Sequence, residues 1–215
     1  MKKILSFILV LTLCLSVFAL VSCGGDETPE EPPKVEGITE EKWEEITAKP
    51  KFVNYTLVQK AVMNVPGQGE YEQEAVIKFT EGKVEIAIAI DANPTVLTYE
   101  GAEAEAQRKS YEDVFLALLD KFENFTYDKE TKTYKNPEAI TANISMEQGT
   151  VGTVTATLVM TNGEVSFDAN GNIAKITCAL SQTTTAGGQT ITVTTDSMTW
   201  ELSNYGTTVI ETAAE

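Results

Sequence analysis

Alternation of apolar and polar side chains, with a period of two residues, recurs in most segments between residues 53 and 202. One segment places Tyr71, Ala75, Ile77 and Phe79 on one side, with glutamates and a lysine on the other. A period of two indicates strands with one buried face and one wet face, which are typical of antiparallel sheets. The pattern therefore predicts an antiparallel sheet as the main element of the fold.

The first half of this region is predicted to be a β-meander that follows a short helix. Thr39 is a residue type that caps helix N-termini, and Pro50 is expected just beyond the end of the helix. Turn sequences with glycine at residues 66–70 and 80–83 separate three strands. The residues expected to face inward from the first and third strands are Val53, Tyr55, Leu57, Ala61, Met63, Val65, Val84, Ile86, Ile88 and Ile90.

A longer amphipathic helix is expected between the two halves of the sheet. Ser110 and Asp113 have the spacing of a capping box, which predicts a helix start at Ser110, although the helix formers of residues 101–109 favour an earlier start. The apolar stripe expected to pack on the sheet consists of Val114, Phe115, Leu118, Leu119 and Phe122.

The second half of the region is again predicted to consist of strands. Residues 125–135 and 165–177 indicate hairpins, the second with Asn170 and Gly171 supplying the positive φ of its turn. The inward residues expected near the end of the chain are Met198, Trp200 and Leu202. These patterns together predict an α+β fold with about eight to ten strands and two or three helices.

The first 22 residues are predicted to be a signal peptide. Lys2 and Lys3 precede an apolar run of 18 residues at positions 4–21, and acidic residues follow it. An uncleaved membrane span is the alternative, but this length is marginal for a span and the flanking charges are those of a signal peptide.

Leu20, Val21, Ser22 and Cys23 resemble the lipobox of bacterial lipoproteins. The resemblance implies that Cys23 carries a thioether-linked diacylglycerol, that signal peptidase II cleaves before Cys23, and that the new amino terminus often receives a further acyl chain such as palmitate. Two or more acyl chains anchor a protein stably. The implied location is extracytoplasmic, on the outer face of the cell membrane, or at the outer membrane if the source is Gram-negative.

The mature chain is expected to consist of a tether and one domain. Residues 23–36 are acidic and rich in proline and glycine, so they are predicted to extend as a tether. Residues 37–215 form the single α+β domain. Its order of elements resembles the LolA- and LprG-type lipoprotein domains and uncharacterised lipoproteins of Firmicutes. This resemblance implies a half-barrel, in which a curved antiparallel sheet packs on the helices and encloses an apolar cavity for acyl chains, but no shared motif identifies ligand-binding residues.

Composition excludes several kinds of active site. The chain has no histidine, so it cannot form a Ser-His-Asp or Cys-His device or a histidine-bearing zinc site. Cys178 is the single cysteine left unmodified in the mature chain, and the alternation around it predicts a buried, unreactive thiol. Residues 168–172 faintly resemble a calcium loop and are predicted to be a hairpin turn. We therefore predict no catalytic activity, no metal site and no cofactor.

The acidic net charge limits the possible binding partners, and the sequence leaves two candidate functions. The formal net charge is −16, and it becomes −18 when the two lysines of the signal peptide are removed, which disfavours nucleic acid. The domain is predicted to bind an apolar or amphiphilic ligand; the alternative is a structural or protein–protein interaction module without a small ligand. The aromatic residues near the main helix fit either a cavity mouth or a packed core: Tyr99, Tyr111, Phe115, Phe122, Phe125, Tyr127 and Tyr134.

Replacement of Cys23 by Ala tests the anchor. Because only a thiol forms the thioether, Cys23→Ala is expected to abolish incorporation of a clickable fatty acid, measured by gel fluorescence after metabolic labelling. The matched control is Cys14→Ala, which alters the apolar run and is expected to leave labelling intact. Undiminished labelling of the Cys23 variant would reject the lipobox interpretation.

Overall fold

The computed structural model describes residues 37–48, 53–65, 69–90, 93–148, 152–186 and 189–210. Within these ranges the chain has an α+β fold with ten strands and two α-helices. The helices are α1 (Glu40–Ala48) and α2 (Gly101–Leu119), and a 3-10 turn spans Phe122–Asn124. The strands are β1 (Tyr55–Val65), β2 (Gly69–Thr80), β3 (Lys83–Ile90), β4 (Asn93–Glu100), β5 (Thr126–Asp128), β6 (Thr133–Lys135), β7 (Ile140–Gln148), β8 (Gly152–Phe167), β9 (Ile173–Ala186) and β10 (Gln189–Ser203).

All ten strands belong to one antiparallel sheet. Its order is β4-β3-β2-β1-β10-β9-β8-β6-β5, and β7 also pairs with β8. The first four strands are the predicted meander with one additional strand, β4, that the sequence patterns did not predict. The first strand of the domain pairs with the last, and this pairing joins the two halves into one sheet.

The face of the sheet that packs against α2, called the inner face below, carries the core. The expected alternation is confirmed in β2, where Ala75, Ile77 and Phe79 are buried between more exposed neighbours. Phe115 of α2 is 2% exposed and meets Trp200 of β10 edge-on, with ring centroids 5.4 Å apart. Val114, Phe115, Leu118 and Leu119 of the predicted stripe are buried on α2 as expected, whereas Phe122 lies in the 3-10 turn beyond the helix and contacts Trp43.

Helix α1 begins and docks through specific hydrogen bonds. The backbone N–H of Lys42 donates to Thr39 Oγ1 at 3.2 Å, which confirms the predicted cap. Trp43 is fully buried, and its indole Nε1–H donates to the carbonyl of Leu119 at 2.8 Å. This bond satisfies one of the free carbonyl groups at the C-terminus of α2 and fixes α1 against that end.

The predicted capping box at Ser110 and Asp113 is wrong. Helix α2 begins nine residues earlier, at Gly101, whose φ of 57° turns the chain directly out of β4. Ser110 lies inside the helix, is fully buried, and its hydroxyl has no hydrogen-bond partner among the described residues. The strong helix formers of residues 101–109 extend the helix past the local capping signal.

The turn predicted at residues 165–177 is correct in place and differs in detail. Gly171 has a φ of 79°, whereas Asn170 is not among the described residues with positive φ. The carboxylate of Asp168 instead accepts the backbone N–H groups of Asn170 and Asn172, both at 2.8 Å. The connection is thus a five-residue turn closed by an aspartate, rather than a two-residue turn.

β-Bulges in the long strands change which residues face inward. In β10, Thr195 pairs with Leu180 and Met198 pairs with Cys178, so Asp196 and Ser197 together oppose a single residue of β9. A second register shift lies in β8 between Thr161 and Glu164. Because each bulge adds one residue, the inward set of a strand changes from even to odd positions across it.

Truncation of the main helix stripe tests its packing. Phe115→Ala is expected to lower the free energy of unfolding by about 3–5 kcal/mol, because it removes a buried ring and leaves a cavity. Lys121→Ala, whose side chain is 62% exposed, serves as the surface control and should change stability by less than about 0.5 kcal/mol. Denaturant melts of both variants measure the difference, and equal losses would contradict the core assignment.

Candidate functional site

A cleft lies between α2 and the inner face of the sheet. Its apolar walls include Met63, Ile88, Tyr111, Met198 and Trp200. The cavity volume is about 40 Å³. Because one water molecule needs roughly 10–15 Å³ of such volume, the cleft has room for roughly three. Sites for drug-sized ligands are roughly 300–1,000 Å³, so the cleft as it stands accommodates only a small chemical group.

Polar side chains line this cleft at positions where the alternation places core residues. Gln73 pairs with Ala61, Thr195 pairs with Met63, and Gln182 pairs with Val193, so all three polar residues stand on the inner face. They are deeply buried: Gln73 is 7% exposed, Thr195 6% and Gln182 9%. Burial of uncharged polar groups costs free energy unless they are hydrogen-bonded.

The hydrogen bonds of these polar groups are incomplete. A third glutamine of the cleft wall, Gln59, accepts the indole N–H of Trp200 at 3.0 Å. The Gln182 amide donates to Thr184 Oγ1 at 3.1 Å. Within the described part of the chain, the side chains of Gln73 and Thr195 make no hydrogen bond. Amide and hydroxyl groups therefore face the cleft with donor and acceptor capacity to spare.

The walls of the cleft carry no formal charge. Among the described residues that line it, none is Asp, Glu, Lys or Arg. The cleft thus offers neutral hydrogen bonding inside an apolar wall.

A separate polar cluster lies on α2. Arg108 contacts Glu105, and its Nε lies 3.5 Å from Glu112 Oε1. Glu112 is 7% exposed, and burial raises the pKa of its carboxyl group from about 4.5 to about 7, while nearby Arg108 opposes the rise. The same carboxylate contributes, after burial, to the raised pKa of Tyr55. The cluster is therefore a buried ionisable group within the core.

The aromatic residues predicted near the main helix mostly form packed core. Trp43 stands at the centre of one group, with ring centroids 5.6 Å from Phe122, 4.7 Å from Phe125 and 5.3 Å from Tyr134. Of the seven aromatic residues singled out in the sequence, Tyr111 is the one that lines the cleft. The aromatic residues around Trp43 are therefore packed core, and the hypothesis of a cavity mouth can apply only to Tyr111.

Other residues singled out in the sequence have settled roles or lie elsewhere. Cys178 is buried, as predicted, and this burial raises the pKa of its thiol to about 12, which disfavours the reactive thiolate. The carboxylate of Asp168 is used within its own turn. Cys23 and the tether lie outside the described residues.

Comparisons with known proteins give no assignment. No family model, curated protein or solved structure matches this chain. In the described ranges, no helix is both long and apolar enough to cross a membrane. The same ranges contain no cluster of three or more Asp, Glu or Cys side chains placed to hold a metal ion.

Sequence reasoning missed the polar wall of the cleft. The inward positions of β1 and β2 also include Gln59 and Gln73, which the pattern of apolar residues does not single out. The available signal was a glutamine at an inward position of an otherwise apolar alternation. Thr195 could not be placed in this way, because the bulge in β10 reverses its orientation.

The buried Glu112 predicts a pH dependence of stability. The folded state holds its proton up to about pH 7, whereas the unfolded chain releases it near pH 4.5, so the stabilisation is present at low pH and is lost as the pH rises through about 7. Denaturant melts of the native chain and of Glu112→Gln between about pH 5 and pH 8 measure it. Glu112→Gln is expected to flatten the decline by on the order of 1 kcal/mol.

Glu123→Gln is the matched control, because the Glu123 side chain is 76% exposed just beyond the same helix. It should retain the decline of the native chain. A Glu112→Gln profile parallel to that of the control would contradict the assignment.

Proposed function

We propose that this chain is a membrane-anchored extracytoplasmic lipoprotein that acts as a non-catalytic binding protein for an apolar or amphiphilic ligand. Acylated Cys23 holds it to the bilayer, and residues 24–36 extend the domain from the membrane surface. The ligand occupies the cleft between α2 and the inner face of the sheet. In this proposal the sheet acts as a half-barrel of the kind found in LolA- and LprG-type domains.

The observation that carries the binding role is the set of deeply buried polar side chains in the cleft. Gln73 and Thr195 each lie on the inner face with less than a tenth of their surface exposed. Within the described residues their side chains have no hydrogen-bond partner, and neither side chain is among the polar groups that are fully shut off from solvent, so their polar atoms face the open space of the cleft. A structural core would replace such groups by apolar ones, whereas a binding site keeps them for a ligand.

The anchor is supported by the sequence alone. The basic start, the apolar run and the residues before Cys23 agree in spacing with a lipoprotein signal. The acidic, proline-rich residues that follow suit an extended linker rather than a packed segment.

The second candidate, a structural or protein–protein interaction module without a small ligand, is favoured by the cavity volume. About 40 Å³ is far below the volume of an acyl-chain cavity. The exposed large apolar residues, however, lie on different elements: Val96 in β4, Ile191 in β10, and Val53 and Val209 outside the helices and strands. Such scattered residues do not define an interaction patch.

Native mass spectrometry decides between the two candidates. The mature chain, purified from its own cells and freed of its anchoring acyl groups, is expected to carry a non-covalent adduct of lipid mass that dissociates on collisional activation. Organic extraction of the same sample then gives the class of the lipid. A preparation that shows only the mass of the bare chain would contradict the binding role and support the interaction module.

A further inference from the structure

The chemistry of the cleft wall restricts the kind of group that it can receive. Gln73 and Gln182 each present an amide, which combines donors with an acceptor, and Thr195 presents a hydroxyl that is both. Such groups pair with hydroxyl and amide groups of a ligand. They stand beside Met63 and Met198, whose flexible thioether side chains adjust to irregular shapes.

Charged groups fit this wall poorly. None of the described lining residues carries a charge, so an ionised group entering the cleft would lose its hydration without gaining a counter-charge. Asp196, the neighbour of Thr195 in the chain, is exposed, because the bulge of β10 turns it toward solvent while Thr195 faces inward. The cleft wall therefore favours an uncharged ligand group at the point where the ligand is most buried.

We propose that the inner cleft binds the uncharged, hydroxyl- or amide-bearing head of an amphiphile, with Gln73 and Thr195 as its principal hydrogen-bonding residues. This inference rests on the proposed binding function and specifies its ligand class. A cavity of about 40 Å³ fits a small polar head and not an acyl chain, so the head occupies the cleft and the chain extends from it between the movable methionines.

Three probes with the same twelve-carbon chain length test the head group. They are 1-monolauroylglycerol, which is uncharged, laurate, which is anionic at pH 8, and dodecyltrimethylammonium, which is cationic. Each is titrated below its critical micelle concentration into the whole mature chain made without its anchor, and binding is followed by isothermal calorimetry and tryptophan fluorescence, since Trp200 lines the cleft. Monolauroylglycerol is expected to bind at least about tenfold more tightly than either ionised probe.

The cationic probe separates cleft chemistry from long-range attraction. The mature chain has a formal charge of −18, so its overall field favours a cation and disfavours laurate. Weak binding of both ionised probes therefore reports on the cleft wall and not on the net charge.

Two variants test the named residues. Thr195→Val and Gln73→Leu are each expected to weaken monolauroylglycerol binding about 3–10-fold, as expected for loss of one neutral hydrogen bond. The matched control is Thr194→Val, because Thr194 is the exposed neighbour on the opposite face of the same strand, and it should alter the affinity less than twofold.

A melting curve of each variant distinguishes lost binding from lost folding. Replacing a buried polar group that has no protein partner by an apolar group of similar shape is neutral or stabilising. Both cleft variants are therefore expected to melt at or above the temperature of the native chain while binding less tightly.

The outcomes separate this inference from the function on which it rests. Equal affinity for all three probes, or unchanged monolauroylglycerol binding in both cleft variants, would overturn the head-group assignment while leaving an amphiphile-binding protein. Absence of binding by any probe, together with a bare mass in native spectrometry, would overturn the binding function itself. Tight uncharged-probe binding that the two cleft variants weaken and Thr194→Val does not would support both.

Discussion

The pairing of the first strand with the last organises the whole domain. Strand β1 runs beside β10 from the pair of Thr56 and Ser203 to the pair of Asn64 and Thr194. Without these backbone hydrogen bonds the chain would form two separate sheets, each with an open edge. The indole of Trp200 donates to Gln59 across the same junction and adds a side-chain bond to it. Because the partners are far apart in sequence, this step closes a long loop and is expected to form late in folding.

Helix α2 carries several buried polar residues in addition to its apolar stripe. It connects the two halves and lies on the sheet they form together, in contact with β3, β4 and β7. Polar residues on such a helix become buried on a side that the sequence alone marks as exposed, as with Gln107, Ser110 and Glu112. Buried polar groups thus lie both on α2 and in the cleft wall. On α2, Arg108 and Glu112 pair with each other, whereas the Ser110 hydroxyl and the Gln107 amide oxygen have no hydrogen-bond partner among the described residues. The cleft wall likewise retains unused hydrogen-bonding capacity.

Sequence patterns predicted the fold class and most of the strands because burial on one face leaves a period of two. The turns, the Thr39 cap and the buried Cys178 followed from equally local rules. Strand β4 escaped prediction because its residues lack a clear alternation, and they form a strand by pairing with β3. The start of α2 was misplaced because Ser110 and Asp113 meet a spacing rule while lying inside a longer run of helix formers.

The cleft could be predicted only in part, since it depends on register between strands distant in sequence. Gln59 and Gln73 stand at inward positions that simple alternation identifies, yet their proximity to Gln182 requires the β1–β10 and β10–β9 pairings. The position of Thr195 requires in addition the bulge, and no local pattern distinguishes a bulge from a continuous strand in a run of threonines.

The extra residue in the bulge of β10 determines which side chains of the strand face inward. Counting inward by twos from Leu202 through Trp200 and Met198 would continue to Asp196 and place a carboxylate in the wall of the cleft. The extra residue shifts the count, so that Thr195 and Val193 face inward and Asp196 faces water. If this strand straightened without a change in length, Asp196 would turn inward and a neutral wall would become acidic. Deletion of Asp196 or Ser197 would instead restore regular alternation and keep Thr195 and Val193 inward, so the neutral wall depends on where the extra residue is accommodated and not only on which residues line the cleft.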